Sequence, residues 1–443
     1  MKKKLFFILL AAAMCMGVLG GCGFDKAAKK EDVTLIIKAP PLAMNAIADP
    51  EMDVAEDFLQ AAGEAFAAQY EDANVTIKVQ TFEYVNEIQA ISDKFDTDDA
   101  ADILYEGYFN MASYLHSGRV VPLDDIISDE LRADVDEALW KMSMAEGKTY
   151  MLPYLSMQNV LIYNKSLFAA CGLEEYANAD RAIQTWSMEE WNTILDQLAE
   201  NLPDGSYPMM MYGKNNQGDT HIMTMMRAFG GNIFDENGNF NCEDEKIVQA
   251  LAWIQDGIDR DWYPPHPNNL ELLDYSDLFG SGKLGIFLYN NANIILYDNI
   301  DDYGFVNFPG GAATSFVTGF EVFDNGDEAK LAAAKAFIKY IYDTPEWMDL
   351  SAGNLPACRS VAERWQDKIV MLNEFMDNQV NVVDFMNNSP NWQGNDTSVR
   401  SVFWTNIHNL LAKSVTPQEC ARAIDEACNA ALEEGRKNST LHP

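Results

Sequence analysis

Few clusters in this chain have the residue types and spacing that catalysis needs. Gly147-Lys148-Thr149 has the ending of a phosphate-binding loop, in which backbone amides and a lysine hold phosphate oxygens. The required first glycine would fall at position 142, which is methionine. Asp235, Asn237 and Asn239 have the opening spacing of a calcium loop. Its sixth position is Phe240 instead of glycine and its twelfth is Lys246 instead of glutamate, so a β-turn is expected there. No G-x-S-x-G occurs, and the five histidines have no H-x-x-x-H spacing. The five cysteines after Cys22 form no C-x-x-C, and Cys420 and Cys428, on one expected helix, lie about 12 Å apart, too far to bridge. Buried apolar thiols are expected, with no cofactor and no metal. What remains is binding chemistry: amides, carboxylates and aromatic rings. The run Tyr150–Phe168, YMLPYLSMQNVLIYNKSLF, is apolar except where Gln158-Asn159 interrupts it. Two amides inside a buried strand need partners.

The elements that position these groups alternate between strand and helix. Val33–Lys38 reads as a strand, 54–70 as a helix with Phe58, Ala62 and Phe66 on one face, and Val75–Gln80 as a second strand. This βαβ unit implies parallel pairing with a right-handed crossover. Asp102–Tyr105 is a third strand, ending in Glu106-Gly107-Tyr108. Ligands in open α/β sheets sit beyond the carboxyl ends of strands, so the loops 39–45, 81–84 and 106–110 are the expected site walls. Later helices carry start signals: the capping box Ser187/Glu190, and Thr344-Pro345 and Thr416-Pro417 with proline at the first helical position. The fold class is α/β.

The chain has 443 residues, about right for two lobes, and nearly half are apolar. Its formal charge of −37, with no basic stripe, argues against nucleic acid and against anionic membrane surfaces as partners. Lys2-Lys3-Lys4, an apolar stretch too short to span a bilayer, and Leu19-Gly20-Gly21-Cys22 have the order of a bacterial lipoprotein signal. Residues 1–21 are thus expected to be removed, Cys22 to be lipidated, and 22–32 to tether an outward-facing body to the cell membrane. A two-chain anchor holds stably, at about 0.8 kcal/mol per buried methylene.

The succession of motifs resembles extracellular solute-binding protein family 1, the maltose-binding-like lipoproteins of ABC importers. The resemblance runs from Val33 to Glu434: FAAQYEDANVTIKV at 66–79, ADILYEGYFNMASYLHSGRVVPLDDI at 101–126, GKTYMLPYLSMQNVLIYNKSLFAACGL at 147–173, TWSMEEW at 185–191, FGGNIFDENGNF at 229–240, LFGSGKLGIFLYNN at 278–291 and GNLPACRSV at 353–361. It implies a two-lobe periplasmic-binding-protein-like (type II) fold with a hinge and an interlobe cleft. One lobe would hold 33–156 and 303–352, the other 157–302 and 353–443. It implies a monomer that captures a sugar or oligosaccharide, closes on it and hands it to the transmembrane subunits of an ABC permease.

Sugar rings offer apolar faces and a rim of hydroxyls, which suit aromatic platforms and paired amides or carboxylates. Where the family places its contacts, this chain has Glu106, Tyr108 and Asn110; Met157 and Gln158; Asn290, Asn291 and Asn293; and Arg400 with Trp404. The family has an aromatic and a basic residue at that last spacing, in the opposite order. Tyr84, Arg227, Phe320 and Glu321 complete the candidate set. Structural alternatives stand beside these: Tyr108 and Trp404 as core, the asparagines as a turn, Arg227 in a surface ion pair. Gln158 is placed at the hinge, on the floor of the site. A receptor that hands its closed state to a sensor kinase instead of a permease stays open at this point, as do two other functions. One is a receptor for a cationic solute such as a polyamine, with Glu83, Glu106 and Glu321 around an ammonium. The other is a surface glycoside hydrolase.

Overall fold

A computed structural model describes residues 30–83, 87–290, 299–383 and 389–441, with only the backbone of Gln217. Among the described residues eleven strands form one sheet: β1 (Glu31–Ala39), β2 (Ala73–Thr81), β3 (Ile103–Gly107), β4 (Leu152–Asn164), β5 (Ile183–Gln184), β6 (Tyr207–Met209), β7 (Leu284–Asn290), β8 (Tyr303–Val306), β9 (Ala313–Val322), β10 (Leu355–Pro356) and β11 (Val382–Val383). β1 pairs in parallel with β2 and β3, and the helix Ala55–Ala67 makes the crossover. Its buried residues, Phe58, Leu59, Ala62, Gly63 and Phe66, recur at helical spacing, so one stripe packs on the sheet.

Long β4 belongs to both halves of the sheet. Its first part pairs with β9 and β10, its second with β7 and β8. On one side of this divide the order is β2-β1-β3-β9; on the other, β8 leads to β5 and β7 to β6. The return crossing lies at β9. This corrects the boundary placed at 303: Tyr303–Val306 pairs with Leu161–Asn164 and with Ile183–Gln184, so it extends the second half. Strand pairing, which apolar patterning does not specify, assigns it there. The C-terminal end also differs from a simple division. Thr440 returns to the first half, its backbone N–H bonding His116 O at 3.1 Å.

A bulge interrupts the β4–β9 ladder between Thr318 and Gly319. A Cβ at Gly319 would stand 2.1 Å from Leu152 O, so only glycine lets the strands meet there. One face of the first half is an aromatic core, in which Tyr105, Tyr154 and Phe320 pack with Phe58 and Tyr342. The opposite face carries a second cluster, with Leu104, Tyr114, Leu115 and Phe323, beneath the short helices Glu87–Ser92 and Met111–Leu115. The capping boxes at Ser187 and Thr416 form as expected, and the five body cysteines are free and buried.

Candidate functional site

A cavity of about 710 Å³ opens at the carboxyl end of β3. Its wall includes Leu42, Glu87, Gly107, Phe109, Asn110, Met157, Asn215, Asn216, Thr318, Gln393 and Arg400. Two of the three loops singled out from the strand ends therefore contribute directly, through Leu42 and through 107–110. Strand ends of the first half of the sheet face Asn215, Asn216, Gln393 and Arg400 across a cleft of the size that small-molecule sites occupy.

Strand periodicity decides which side chains face it. Met157 stands opposite Phe316 on β9, and Asn159 opposite both Thr314 and Asn290. Phe316 stacks on Phe109, with ring centroids 4.6 Å apart. Successive residues alternate faces, so Gln158 and Ser315 point the other way. Gln158 is 1% exposed and fully engaged there. Its amide donates to Phe375 O at 3.2 Å and to Gln379 Oε1 at 3.3 Å, and its Oε1 accepts from Asn378 at 2.7 Å. The polar break is thus two devices: Gln158 locks the C-terminal segment to the reverse face, while Asn159 accepts a bond from Asn290 Nδ2 at 3.1 Å.

Arg400 comes from the helix Val399–Leu411. Its guanidinium is bound by the buried Asp219 carboxylate, by Gln393 Oε1 at 2.6 Å and by Asn216 O at 3.3 Å. It lies 5.8 Å from the Phe109 ring centroid, so it braces the aromatic platform as well as the cleft wall. Trp404, one turn on, is buried in the hydrophobic core. Phe320 packs into the aromatic core against Tyr105, and Tyr108 is fully buried. Arg227 is half-buried at the end of the helix Asp219–Met225, outside the cavity lining. Glu83 is exposed. Tyr84, Asn291, Asn293 and Cys22 lie outside the described residues.

Glu106 and Glu321 are buried without lining the cavity. Register puts them on the same face: Glu106 is opposite Gly319, and Glu321 is two residues further along β9. Their neighbour Glu87, at the start of a helix and on the cavity wall, was not singled out from sequence. Burial raises its carboxyl to about 7, against the lowering effects of a hydrogen bond with Asn110 and of the Arg400 charge. Burial first, and then the Glu87 charge, push Glu321 well above the usual carboxylate range. Phe109, Asn215, Asn216, Thr318 and Gln393 also escaped the sequence reading. They lie in loops or at a bulge, where no periodicity reports facing.

A second open cavity, of about 580 Å³, is lined by Ser128–Asp134, Lys339–Met348 and Cys358–Arg364. None of the buried polar atoms that lack partners lines it. Two of its basic residues are matched locally, Lys339 with Asp343 at 2.6 Å and Arg364 with Asp349 at 2.5 Å. Among the described residues no group of three His, Cys, Asp or Glu side chains is disposed to hold a metal ion, and no helix is long and apolar enough to cross a membrane.

The sequence profile of bacterial extracellular solute-binding proteins matches residues 53–346. The diacetylchitobiose binding protein DasA of Streptomyces coelicolor is 22% identical over 286 residues, covering 60% of this chain and 62% of that protein. A putative binding protein of Brucella abortus is 22% identical over 224 residues, 50% of this chain and 52% of its own length. The chain therefore spans about half the length of such relatives. In structure, the sugar-binding protein MalE of Xanthomonas citri superposes with a TM-score of 0.71 at 14% identity, covering 91% of this chain and 98% of that one. The GacH receptor of Streptomyces glaucescens, solved unliganded and with acarbose, gives 0.69 at 18% identity, covering 92% and 100%. These structures share the fold, and they are binding proteins, not enzymes. The chain belongs to the bacterial extracellular solute-binding protein family.

Proposed function

We propose that the chain is the substrate-binding lipoprotein of an ABC importer and that its cleft captures a carbohydrate. The observation that carries this reading is the cleft wall itself. A phenylalanine platform, Phe109 stacked on Phe316, stands beside the amides of Asn110, Asn215, Asn216 and Gln393, with Arg400 bracing the wall. An apolar ring face with a surround of amide donors and acceptors is the complement of a sugar ring and its hydroxyls. Sugar ligands named for DasA, GacH and MalE support the same class. Closure of the two halves about β4 and β9 would bury the solute and present one closed surface to a permease. Cys22 would hold the receptor at the membrane through its lipid.

Thermal unfolding with a panel of mono- and oligosaccharides tests the ligand class. A ligand at 100 times its dissociation constant stabilises by about 2.7 kcal/mol. A panel without effect would contradict the reading. The anchor is tested separately. Cells fed a labelled fatty acid incorporate it into the wild-type chain and not into Cys22→Ala; equal labelling would contradict lipidation at Cys22.

A further inference from the structure

Between β3, β9 and the helices Glu87–Ser92 and Met111–Leu115 lies a group of buried polar atoms without hydrogen-bond partners. They are both carboxyl oxygens of Glu106, both of Glu321, Asn110 Oδ1 and the Tyr114 hydroxyl. Glu106 is 1% exposed and Glu321 0%. Five of these six atoms are pure acceptors when the acids are ionised. Unpaired buried carboxylates are costly, so the group calls for donors, and most of all for a positive charge. Among the described residues no cation is paired with them. The cation acting on Glu87 is Arg400, and its guanidinium is already engaged by Asp219. Glu87 stands where this group meets the cavity: it lines the wall, bonds Asn110, and acts electrostatically on both Glu321 and Tyr114.

A metal ion does not fit, since the acids do not converge as ligands among the described residues. An ammonium group does. It has three donors, tolerates acceptors spread over several ångströms, and needs only the open side at Glu87 and Asn110. We propose that this acidic nest receives an ammonium group, and that the cleft's solute is an amine-bearing saccharide held by its ring on Phe109 and by its nitrogen at Glu87, with Glu106 and Glu321 behind. This rests on the carbohydrate reading and narrows it. Charge balance follows: the ammonium enters, and Glu87 and Glu321, whose burial favours the protonated form in the empty site, release protons to solvent. Glu87, Glu106, Glu321 and Tyr114 are the titratable groups facing one another across this space, and Arg400 is the cation at its edge.

The test is calorimetry of the full chain with a matched pair: a glucosamine oligosaccharide and its fully N-acetylated counterpart, which has the same number of sugar rings but is uncharged and carries an acetyl group on each nitrogen. A maltose-series oligosaccharide and spermidine are run beside them. The amine is expected to bind about tenfold or more tightly than the N-acetyl form, because a charged hydrogen bond replaces a neutral one. Titrations in two buffers of different ionisation enthalpy are expected to show proton release for the amine only. Glu87→Gln and Glu321→Gln, which keep the shape of each side chain, are expected to abolish that preference by removing most of the amine's tenfold advantage and its proton release. Tight binding of the N-acetyl or maltose-series ligand with no preference for the amine would overturn the ammonium assignment and leave the carbohydrate reading standing. Spermidine binding that is lost in Glu87→Gln, without binding of any saccharide, would support the ammonium assignment and overturn the carbohydrate reading. Binding of none of the four would overturn both.

Discussion

Met157 and Gln158 are adjacent in sequence and stand on opposite faces of the same strand. The cleft face carries Met157, Asn159, Phe316 and Thr318 and opens onto the cavity. On the reverse face every hydrogen-bonding end of Gln158 is engaged by Phe375, Asn378 and Gln379. The comparison shows that buried polar groups have two uses in this fold. Those with complete partners fasten segments together. Glu106 and Glu321, by contrast, are left without hydrogen-bond partners, and the Glu87 charge that acts on Glu321 stands on the cavity wall.

The strongest way to break this division is at Arg400, which serves both sides. Arg400→Ala would leave the Asp219 carboxylate buried and unpaired, and a loss of about 3–5 kcal/mol is expected in denaturant unfolding. A near-neutral result would mean that the pair does not brace the wall. Gln158→Ala removes one of the two acceptors of Asn378 Nδ2 on the reverse face, the other being Asn307 Oδ1. It is expected to cost about 1–3 kcal/mol of stability while solute affinity stays unchanged. An affinity loss without a stability loss would place Gln158 in the site after all. Phe109→Ala should show the converse, with affinity weakened by about tenfold or more and a smaller effect on unfolding, because its ring is half-buried and its energy is spent on the ligand.

The smallest effect is with pH. Burial raises the Glu87 carboxyl to about 7 from an ordinary value of 4.5. The folded chain therefore holds a proton that the unfolded chain releases between those values. Stability attributable to this group is highest below the unfolded value and falls as pH rises towards 7, then levels off. Wild-type protein should lose melting temperature relative to Glu87→Gln across that window; parallel curves would mean that Glu87 ionises freely.

Much of the fold was legible in the sequence, because periodicity and caps are local. The βαβ start, the third strand ending at Glu106-Gly107, and the capping boxes at Ser187 and Thr416 follow from spacing alone. The cavity also lies at strand ends, where Leu42, Gly107 and Asn110 line it. Facing was less legible. Tyr108 was chosen and Phe109 lines the cleft, because a loop after a strand has no fixed parity. Gln158 was chosen over Asn159, because alternation identifies two sets without saying which is inward. Glu87 lies past the end of the loop that was singled out, and nothing in its neighbourhood signals burial. Asn216 and Gln393 reach the cleft through contacts with Arg400 that span 184 and 7 residues respectively, and the longer of these leaves no local trace. The crossing at β9, like the pairing of Tyr303–Val306, depended on ladders between distant segments.

The central claim is that a saccharide binds on the Phe109 side of β4. The most direct measurement is a side-by-side titration of wild type, Phe109→Ala and Gln158→Ala with whichever oligosaccharide raises the wild-type melting temperature, reading affinity and stability for each. The account predicts that Phe109→Ala loses affinity and keeps most of its stability, while Gln158→Ala loses stability and keeps its affinity. Equal affinities for wild type and Phe109→Ala, with binding lost in Gln158→Ala, would contradict it.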